Sequence, residues 1–149
     1  MALTFTNLVI HVIFPTNDRA PLITPEIQSR LWGYMGGILQ EERAIPLTIG
    51  GTADHVHLLM KSPATKAFSD VIRILKTNSS RWVHETWPSA SFAWQTGYGA
   101  FAVSQSNIEE VRRYIAHQEE HHRTVTFQEE FIAFLTRHKI EYDPKYIWE

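Results

Sequence analysis

Apolar and polar positions alternate along this chain in two rhythms, one typical of strands and one of helices. Four segments are rich in β-branched and aromatic residues between turn residues, which favours strands. Four others keep apolar residues three and four positions apart, as amphipathic helices do. The predicted strands are 3–14, 44–52, 54–60 and 91–104, the last as one or two strands with a bend at Gly97 or Gly99. The predicted helices are 24–42, 67–84, 106–123 and 126–140.

Turn and capping residues support these boundaries. Thr24 followed by Pro25 is a typical helix start, and Gly50-Gly51 predicts a turn between the second and third strands. A Ser or Thr with Glu three positions later forms a capping box that begins a helix. Such boxes are predicted at Ser106–Glu109 and Thr126–Glu129.

The resulting order is β-α-β-β-α-β-α-α, without the regular βα repeat of a doubly wound sheet. It predicts an α+β fold in which a mostly antiparallel sheet carries helices on one face, a sandwich of the ferredoxin-like kind. A C-terminal helix bearing a tyrosine is added to this sandwich. With 149 residues, the chain is expected to form one domain, residues 1–149.

The amino-acid composition excludes some kinds of site but does not identify a function. The chain has no cysteine, which excludes disulfides, thiolate metal sites and cysteine nucleophiles. No signal peptide or membrane span is predicted, so we expect a cytoplasmic protein. The formal net charge is −2, so nucleic-acid binding would have to rest on local charge. Residues 61–81 are locally basic, which fits a solvated helix face as well as a phosphate contact.

Two histidines stand in the third predicted strand, "DHVHLLM". Side chains alternate between the faces of a strand, so His55 and His57 point to one face, and Val56 and Leu58 to the other. Imidazoles about 7 Å apart along one strand can converge on a single divalent ion, and imidazole is the commonest metal ligand. The pair also fits two inert, hydrogen-bonded histidines at a sheet edge.

The predicted helix 106–123 places a phenol beside a carboxamide. Ile108 and Ile115 belong to an apolar stripe that faces the core, and Tyr114 and Gln118 are neighbours on its flank. A tyrosine hydroxyl can attack a phosphodiester to form a covalent intermediate, while a divalent ion stabilises the developing charge. Two imidazoles and a carboxamide oxygen would leave positions open for phosphate and water, with Mg²⁺ or Mn²⁺ as the ion.

Other interpretations of these residues stay open. Tyr114 also fits a packing role with its hydroxyl at the rim, and Gln118 fits a solvated helix position. His117 and His121, four apart, form an alternative metal pair that would leave the tyrosine without a role.

The remaining histidines are expected to be structural. His122 falls on the apolar stripe of the predicted helix 106–123 and is expected to be a hydrogen-bonded core residue. His84, at the end of the predicted helix 67–84, is expected to be a core residue of the same kind. His11 and His138 belong to no motif.

Several stretches resemble, in order, the HUH single-tyrosine transposases of the insertion-sequence-200-like family, which includes repeat-associated tyrosine transposases. "DHVHLL" is followed about 57 residues later by "YIAHQEEHH". "GGTADHVHLL", "FAWQTGYGAFAVS" and "TFQEEF" also look like family stretches, so the resemblance covers nearly the whole chain. Replication initiators with Tyr-x-x-Lys fit less well because position 117 is His, and the helix lacks the second tyrosine of two-tyrosine enzymes.

The resemblance implies an RRM-like sandwich and a metal-dependent transposase. His55 and His57 would be the HUH metal ligands, Gln118 the third ligand, and Tyr114 the nucleophile that forms a 5′-phosphotyrosine. The substrate would be single-stranded DNA with hairpins at the element ends, and the enzyme would act at the nucleoid. Family members are often homodimers in which the tyrosine helix of one subunit completes the histidine site of the other.

The acidic net charge departs from what a DNA-binding enzyme needs, because phosphates call for a basic face. Trp82, Trp94 and Tyr98 fit either base stacking or the core. The cations predicted to contact DNA are Arg73, Lys76, Arg81, Arg112, Arg113 and Arg123.

Two other functions remain as alternatives. One is a non-catalytic nucleic-acid-binding module on the same sandwich, which would be indifferent to metal. The other is a metallohydrolase that uses His55, His57 and His121 with water as nucleophile.

Overall fold

A computed structural model describes residues 3–149. Within this range the chain forms one four-stranded sheet and five α-helices. The strands are β1 (Val9–Pro15), β2 (Ile45–Gly51), β3 (His55–Lys61) and β4 (Gly99–Ala102). The helices are α1 (Pro25–Glu41), α2 (Phe68–Thr86), α3 (Ile108–Ala116), α4 (Gln118–His121) and α5 (Phe127–Arg137).

The sheet has the strand order β2-β3-β1-β4, and every neighbouring pair is antiparallel. This order, with α1 and α2 as the two crossovers, is the ferredoxin-like arrangement and confirms the predicted fold class. The central pairing sets Ile13 opposite His57 and His11 opposite Leu59. The two middle strands therefore bring imidazoles from β1 and β3 to one face of the sheet.

One face of the sheet is apolar and carries α1 and α2. Val56, Leu58 and Met60 of β3 are completely buried there, together with Val12 and Phe14 of β1. Each of these strands alternates apolar residues into this core, which is the main hydrophobic cluster of the fold.

The other face is covered by α3 to α5. Ile108 and Ile115 of α3 pack on Leu59 of β3, and three aromatic residues of α5 pack around Ile13 and Phe101. The sheet is thus buried on both faces, because helices that follow the fourth strand cover the side opposite α1 and α2.

Two glycines let the second layer of helices approach the sheet. A Cβ on Gly50 of β2 would lie 2.8 Å from the Ile115 carbonyl oxygen of α3. A Cβ on Gly99 of β4 would lie 2.7 Å from the Phe131 ring of α5. Neither contact leaves room for a side chain, so both positions favour glycine for reasons of packing.

Several element boundaries differ from the predicted ones. Of the predicted strand 91–104, only Gly99–Ala102 forms a strand. The predicted Gly50-Gly51 turn was wrong, because both glycines lie in β2 and the bend follows at 53–54. The first strand begins at Val9 rather than at residue 3, and residues 3–8 are exposed. The predicted helix 106–123 was wrong as a single element: α3 ends at Ala116, and His117 adopts non-helical backbone angles (φ −109°, ψ 26°) before α4.

The two predicted capping boxes had different outcomes. The Thr126–Glu129 box is present at the start of α5. The Ser106–Glu109 box was wrong, because α3 begins after Asn107, which makes no side-chain capping bond within residues 3–149. A 3-10 turn over Gln105–Asn107 takes its place. Among the described residues, no helix is both long and apolar enough to cross a membrane.

Candidate metal and tyrosine site

The site is built on the face of the sheet that carries α3 to α5. His55 and His57 are completely buried on β3 and point to that face. His11 on β1 is buried beside them, with its Nε2 atom 2.8 Å from Nδ1 of His57. Strand alternation and the β1–β3 register therefore position three imidazoles on the floor of the site.

Three further side chains reach this floor from α4 and α5. The carboxamide oxygen of Gln118 lies 3.0 Å from Nε2 of both His55 and His122. The Oε1 atom of Glu130 lies 2.8 Å from Nε2 of His57 and 3.1 Å from Nε2 of His122. The break at His117 is what turns Gln118 and His122 towards β3.

The Nδ1 atoms of His55 and His122 each lie within hydrogen-bond distance of an acceptor outside the site. Nδ1 of His55 lies 2.7 Å from the Asp54 carboxylate, and Nδ1 of His122 lies 2.6 Å from the Val125 carbonyl oxygen. Because both partners only accept, each Nδ1 carries a hydrogen. In the neutral ring, Nε2 then presents its lone pair to the centre of the site, which is the form in which imidazole binds a metal.

The central atoms fit a divalent metal. Ligand atoms of His55, His57, His122 and Glu130 all lie within 4.8 Å of one another. Nε2 of His55 and Nε2 of His122 each lie 3.0 Å from the Gln118 oxygen, so three atoms that can donate to a metal meet at one point. Nitrogen and oxygen donors together suit Mn²⁺ better than Mg²⁺, which prefers oxygen ligands alone.

Tyr114 of α3 lies directly beside this group. Its hydroxyl donates a hydrogen bond to Oε2 of Glu130 and lies 3.3 Å from Nε2 of His121. The Tyr114 and His57 ring centroids are 5.8 Å apart. A single chain thus brings together the predicted tyrosine and the predicted histidine pair.

The charges of the site depend on Glu130. Burial alone would raise the pKa of its carboxyl, but hydrogen bonds from His122 and His57 hold that pKa well below its usual range. Burial also tends to lower the pKa of His122, but Glu130 outweighs it and raises that pKa. Burial lowers the pKa of His57 to about 4, and that of His11 to about 3. The charge of Glu130 and the protonation of the imidazoles around it are therefore coupled.

The Tyr114 phenol is held in its protonated form. Burial raises its pKa, and the Glu130 carboxylate raises it further. At neutral pH the hydroxyl is therefore a hydrogen-bond donor aimed at Glu130. It needs added positive charge nearby before it can act as a strong nucleophile.

Two cavities reach the site from different sides. One of about 550 Å³ opens beside the Tyr114 hydroxyl, and its lining includes His11, His121, Glu130 and Arg137. The other, of about 690 Å³, reaches His122 and Asp54 and is lined in part by Arg123. Ligands can therefore approach both the tyrosine and the imidazole side of the group.

The cations predicted to contact DNA do not form one surface. Arg73, Lys76 and Arg81 lie on α2, which packs on the apolar face of the sheet. The Lys76 ammonium donates to the Gln95 and Gly97 carbonyl oxygens at 2.6 Å each, and burial lowers its pKa to about 8. Arg73 is exposed and lies 3.6 Å from Asp70.

The other three predicted cations lie on the tyrosine side of the molecule. Arg112 and Arg113 belong to α3, and Arg123 follows α4. Arg112 lies 3.6 Å from Glu109, while Arg113 and Arg123 are exposed. Arg123 shares the lining of the second cavity with His122.

The aromatic residues considered for base stacking divide between two environments. Trp82 and Trp94 are partly buried against the apolar core, and Trp94 donates to Ser79 at 2.9 Å. Tyr98 is 38% exposed. The core interpretation therefore applies to the two tryptophans, whereas Tyr98 is partly exposed and packs edge-to-face against Phe68.

Several histidines differ from their predicted places. His122 belongs to the candidate metal group rather than to an apolar stripe, because the helix breaks at His117. His84 is exposed and is hydrogen-bonded to the Phe92 carbonyl oxygen at 2.7 Å, so its assignment to the core was wrong. His117 is exposed and donates to the Arg113 carbonyl oxygen, while His121 faces Tyr114, so the two do not form a helical metal pair.

Sequence reasoning missed His11 and Glu130. His11 follows the inward alternation of β1 between Val9 and Ile13, so strand periodicity carried a signal for it. Glu130 lies three positions after Phe127 and four before Phe134, which places a carboxylate on the apolar side of α5. A charged residue in such a position is a signal of a buried polar site.

Comparisons with known proteins identify a family for this chain. The model of the family "Transposase IS200 like" matches residues 4–118. Among proteins with curated descriptions, none matches the chain significantly.

Two solved structures share the fold. A putative transposase from Deinococcus radiodurans R1 superposes with a TM-score of 0.64 at 21% identity, over 79% of this chain and 95% of that one. A REP-associated tyrosine transposase bound to a REP hairpin superposes with a TM-score of 0.61 at 16% identity, over 84% of this chain and 74% of that one. The family match spans most of the sequence, including the histidine pair, Tyr114 and Gln118, and the chain belongs to the IS200-like family of transposases.

Proposed function

We propose that this transposase cuts and rejoins single-stranded DNA through Tyr114, with a divalent metal held by the histidine pair. The observation that carries the proposal is the inward aim of the Nε2 atoms next to the Tyr114 hydroxyl, within one chain. Several metal-binding atoms that converge on one buried point beside a tyrosine hydroxyl are what a metal-dependent tyrosine nucleophile requires. Residues 1–149 would act as a single HUH transposase domain.

The proposed ligands are His55, His57 and the Gln118 oxygen, with His122 beside them. When bound, the metal would supply positive charge that stabilises a phosphodiester under attack. Asp54 and the Val125 carbonyl oxygen hold the imidazoles in the ligand tautomer. The donor set supports Mn²⁺ ahead of Mg²⁺.

Tyr114 would be the nucleophile. Its phenolic oxygen forms a bond to phosphorus while the bond from phosphorus to the 3′ oxygen breaks, which leaves a 5′-phosphotyrosine and a free 3′ hydroxyl. The phenol loses one proton and the departing oxygen gains one, so the step is balanced. Attack by a 3′ hydroxyl on the phosphotyrosine reverses it, so strands rejoin without added nucleotide energy.

The proposed substrate is DNA with hairpin ends. The structural relative that was solved with a REP hairpin supports this choice. The cavity beside Tyr114, about 550 Å³ in volume, has room for a nucleotide next to the scissile phosphate. Contacts of Arg73, Lys76, Arg81, Arg112, Arg113 and Arg123 with the DNA backbone stay predictions.

Association and location are also part of the proposal. The chain would act at the nucleoid in the cytoplasm, as a homodimer. Within one chain the Tyr114 hydroxyl already faces the histidine group. This geometry supports a site completed by its own tyrosine, and a shared site would require α3 to be exchanged between the subunits.

Incubation with a single-stranded hairpin oligonucleotide and Mn²⁺ tests the function. We expect a covalent protein–DNA adduct on a denaturing gel, lost with EDTA and lost in Tyr114→Phe. Tyr146→Phe, a change at an exposed tyrosine outside the site, is the matched control and should keep the adduct. An adduct that persists in Tyr114→Phe, or DNA binding without any adduct, would contradict the proposal.

A further inference from the structure

Glu130 is a buried carboxylate in the middle of the site. It is 3% exposed and belongs to α5, beyond residue 118 where the family match ends. A buried carboxylate is costly unless it is paired or binds a metal. The side chains that surround it are His57, His121, His122 and Tyr114.

The two carboxylate oxygens face different partners. Oε1 lies 2.8 Å from Nε2 of His57, 3.1 Å from Nε2 of His122 and 3.6 Å from Nε2 of His55. Ligands placed about 2.1 Å from one ion at right or tetrahedral angles stand about 3–3.5 Å apart. The three Oε1–Nε2 distances bracket this spacing, so shifts of a few tenths of an ångström would let Oε1 and the imidazoles share one ion.

Oε2 points away from the imidazole group towards the nucleophile. It accepts the hydrogen bond of the Tyr114 hydroxyl and lies 3.3 Å from Nε2 of His121. One carboxylate thus spans the distance between the metal group and the reactive oxygen.

The backbone around Glu130 is fixed. The Thr126–Glu129 capping box precedes Glu130 directly, at the start of α5. Phe127 and Phe131 of the same helix pack against the sheet face. The Phe131 ring also lies over Gly99, where a Cβ would come within 2.7 Å of it, so α5 packs closely on β4. A carboxylate held in this way can fix the geometry of both of its partners.

We propose that Glu130 serves both halves of the site: Oε1 is a further protein ligand of the divalent metal, and Oε2 positions the Tyr114 hydroxyl. The inference rests on the proposed function and deepens it. It extends the active site from the HUH strand and the tyrosine helix to α5. A merely structural Glu130 would instead only accept hydrogen bonds from its neighbours.

Mn²⁺ titration calorimetry separates these roles. Glu130→Gln keeps the size of the side chain but removes the charge that a ligand supplies, so we expect Mn²⁺ affinity to fall at least about tenfold. The matched control is Glu120→Gln, the same change at an exposed position, which should bind like the unmodified chain. Equal Mn²⁺ affinity in Glu130→Gln and the unmodified chain would overturn the ligand role.

A second measurement does not depend on how the variant folds. In crystals of the unmodified chain soaked with Mn²⁺, the anomalous peak should lie about 2.2 Å from Oε1 of Glu130. A peak that is bound by the histidines but separated from Glu130 by a water would overturn the proposal.

The positioning role is tested in the DNA reaction. At saturating Mn²⁺ and DNA, Glu130→Gln should form the adduct at least about tenfold more slowly while its DNA affinity is unchanged, and Glu130→Asp should recover part of the rate. Adduct formation at equal rates in Glu130→Gln and the unmodified chain would overturn the inference and leave the proposed function standing. Failure of the unmodified chain to form any adduct, with Mn²⁺ binding intact, would instead contradict the proposed function.

Discussion

Neighbouring residues of β3 meet two different environments on the two faces of one sheet. Val56, Leu58 and Met60 enter a core of aliphatic and aromatic side chains under α1 and α2. His55 and His57 are buried as completely on the other face, but among polar groups. The first face stabilises the fold by burying apolar area. The second face buries polar groups in a preorganised site, which stabilises the fold less.

This difference between the two faces predicts which property a substitution on each face should change. Changes on the apolar face should lower the free energy of unfolding without a specific effect on metal. Changes on the histidine face should alter metal binding and pH dependence, with smaller effects on the metal-free fold. Substitutions on each face test this division.

The largest expected effect is on the apolar face. Leu58→Ala removes a completely buried side chain and should lower the free energy of unfolding by about 3 kcal/mol, because it creates a cavity. Urea denaturation with EDTA present measures this. Leu8→Ala, the same change at a side chain that is 47% exposed, should cost less than about 0.5 kcal/mol. Similar losses in the two variants would contradict the assignment of the core.

On the histidine face, His57→Asn should remove metal stabilisation. The asparagine amide can still hydrogen-bond with His11 in place of Nδ1 of His57. It has no atom in place of Nε2, which lies beside Glu130. In the unmodified chain, Mn²⁺ at a hundred times its Kd should add about 2.7 kcal/mol to the free energy of unfolding. We expect no such gain in His57→Asn, and a full gain in the control His117→Asn at an exposed site. A full gain in both variants would place the metal elsewhere.

The buried imidazoles also predict an acid-sensitive fold. Burial lowers the pKa of His11 to about 3 and of His57 to about 4, so between pH 6.5 and 4 the unfolded chain binds more protons than the folded one. Stability must therefore fall as pH falls through this window. The raised pKa of His122 acts in the opposite sense, because its contribution is present at low pH and lost as pH rises.

His11 and His57 together should lose about 3 kcal/mol of stability from pH 6.5 to pH 5, measured by denaturation in EDTA, and His122 offsets part of this loss. His11→Gln removes one titrating group whose charged neighbours are His57, Glu130 and His138, and should roughly halve the loss. An unchanged pH slope in His11→Gln would show that His11 is not buried in its neutral form.

The smallest expected effect concerns the helix that carries Glu130. Thr126→Ala removes the side-chain half of the capping box on α5 and should cost about 1 kcal/mol. Thr136→Ala, an exposed position within α5, is the control and should change stability little. Equal stability of Thr126→Ala and the unmodified chain would mean that packing alone fixes the start of α5.

The sequence allowed the fold and half of the site to be predicted. Alternation along "DHVHLL" placed His55 and His57 on one face, because a strand has a period of two. The order of elements led to the ferredoxin-like sheet, which the strand order confirms. Tyr114 and Gln118 were paired by their helical spacing, although the helix ends between them and Gln118 reaches His55 from α4.

The rest of the site depends on tertiary packing. Neither glycine nor proline marks the break at His117, and the polar run after it favours a continued helix, so local propensity gave no warning. Glu130 meets the histidines only because α5 folds back over the sheet, a contact between residues 73 positions apart. The capping box at Thr126 predicted where α5 begins but not what it covers.

The most direct test of the central claim maps the attachment point of the DNA. After reaction with a hairpin oligonucleotide and Mn²⁺, nuclease and trypsin should release the peptide 114–123, which contains a single tyrosine. Mass spectrometry should find this peptide increased by the mass of a 5′-linked nucleotide, with the modification on Tyr114. An unmodified peptide 114–123 in a sample whose DNA has been cut, or attachment at another residue, would contradict the account.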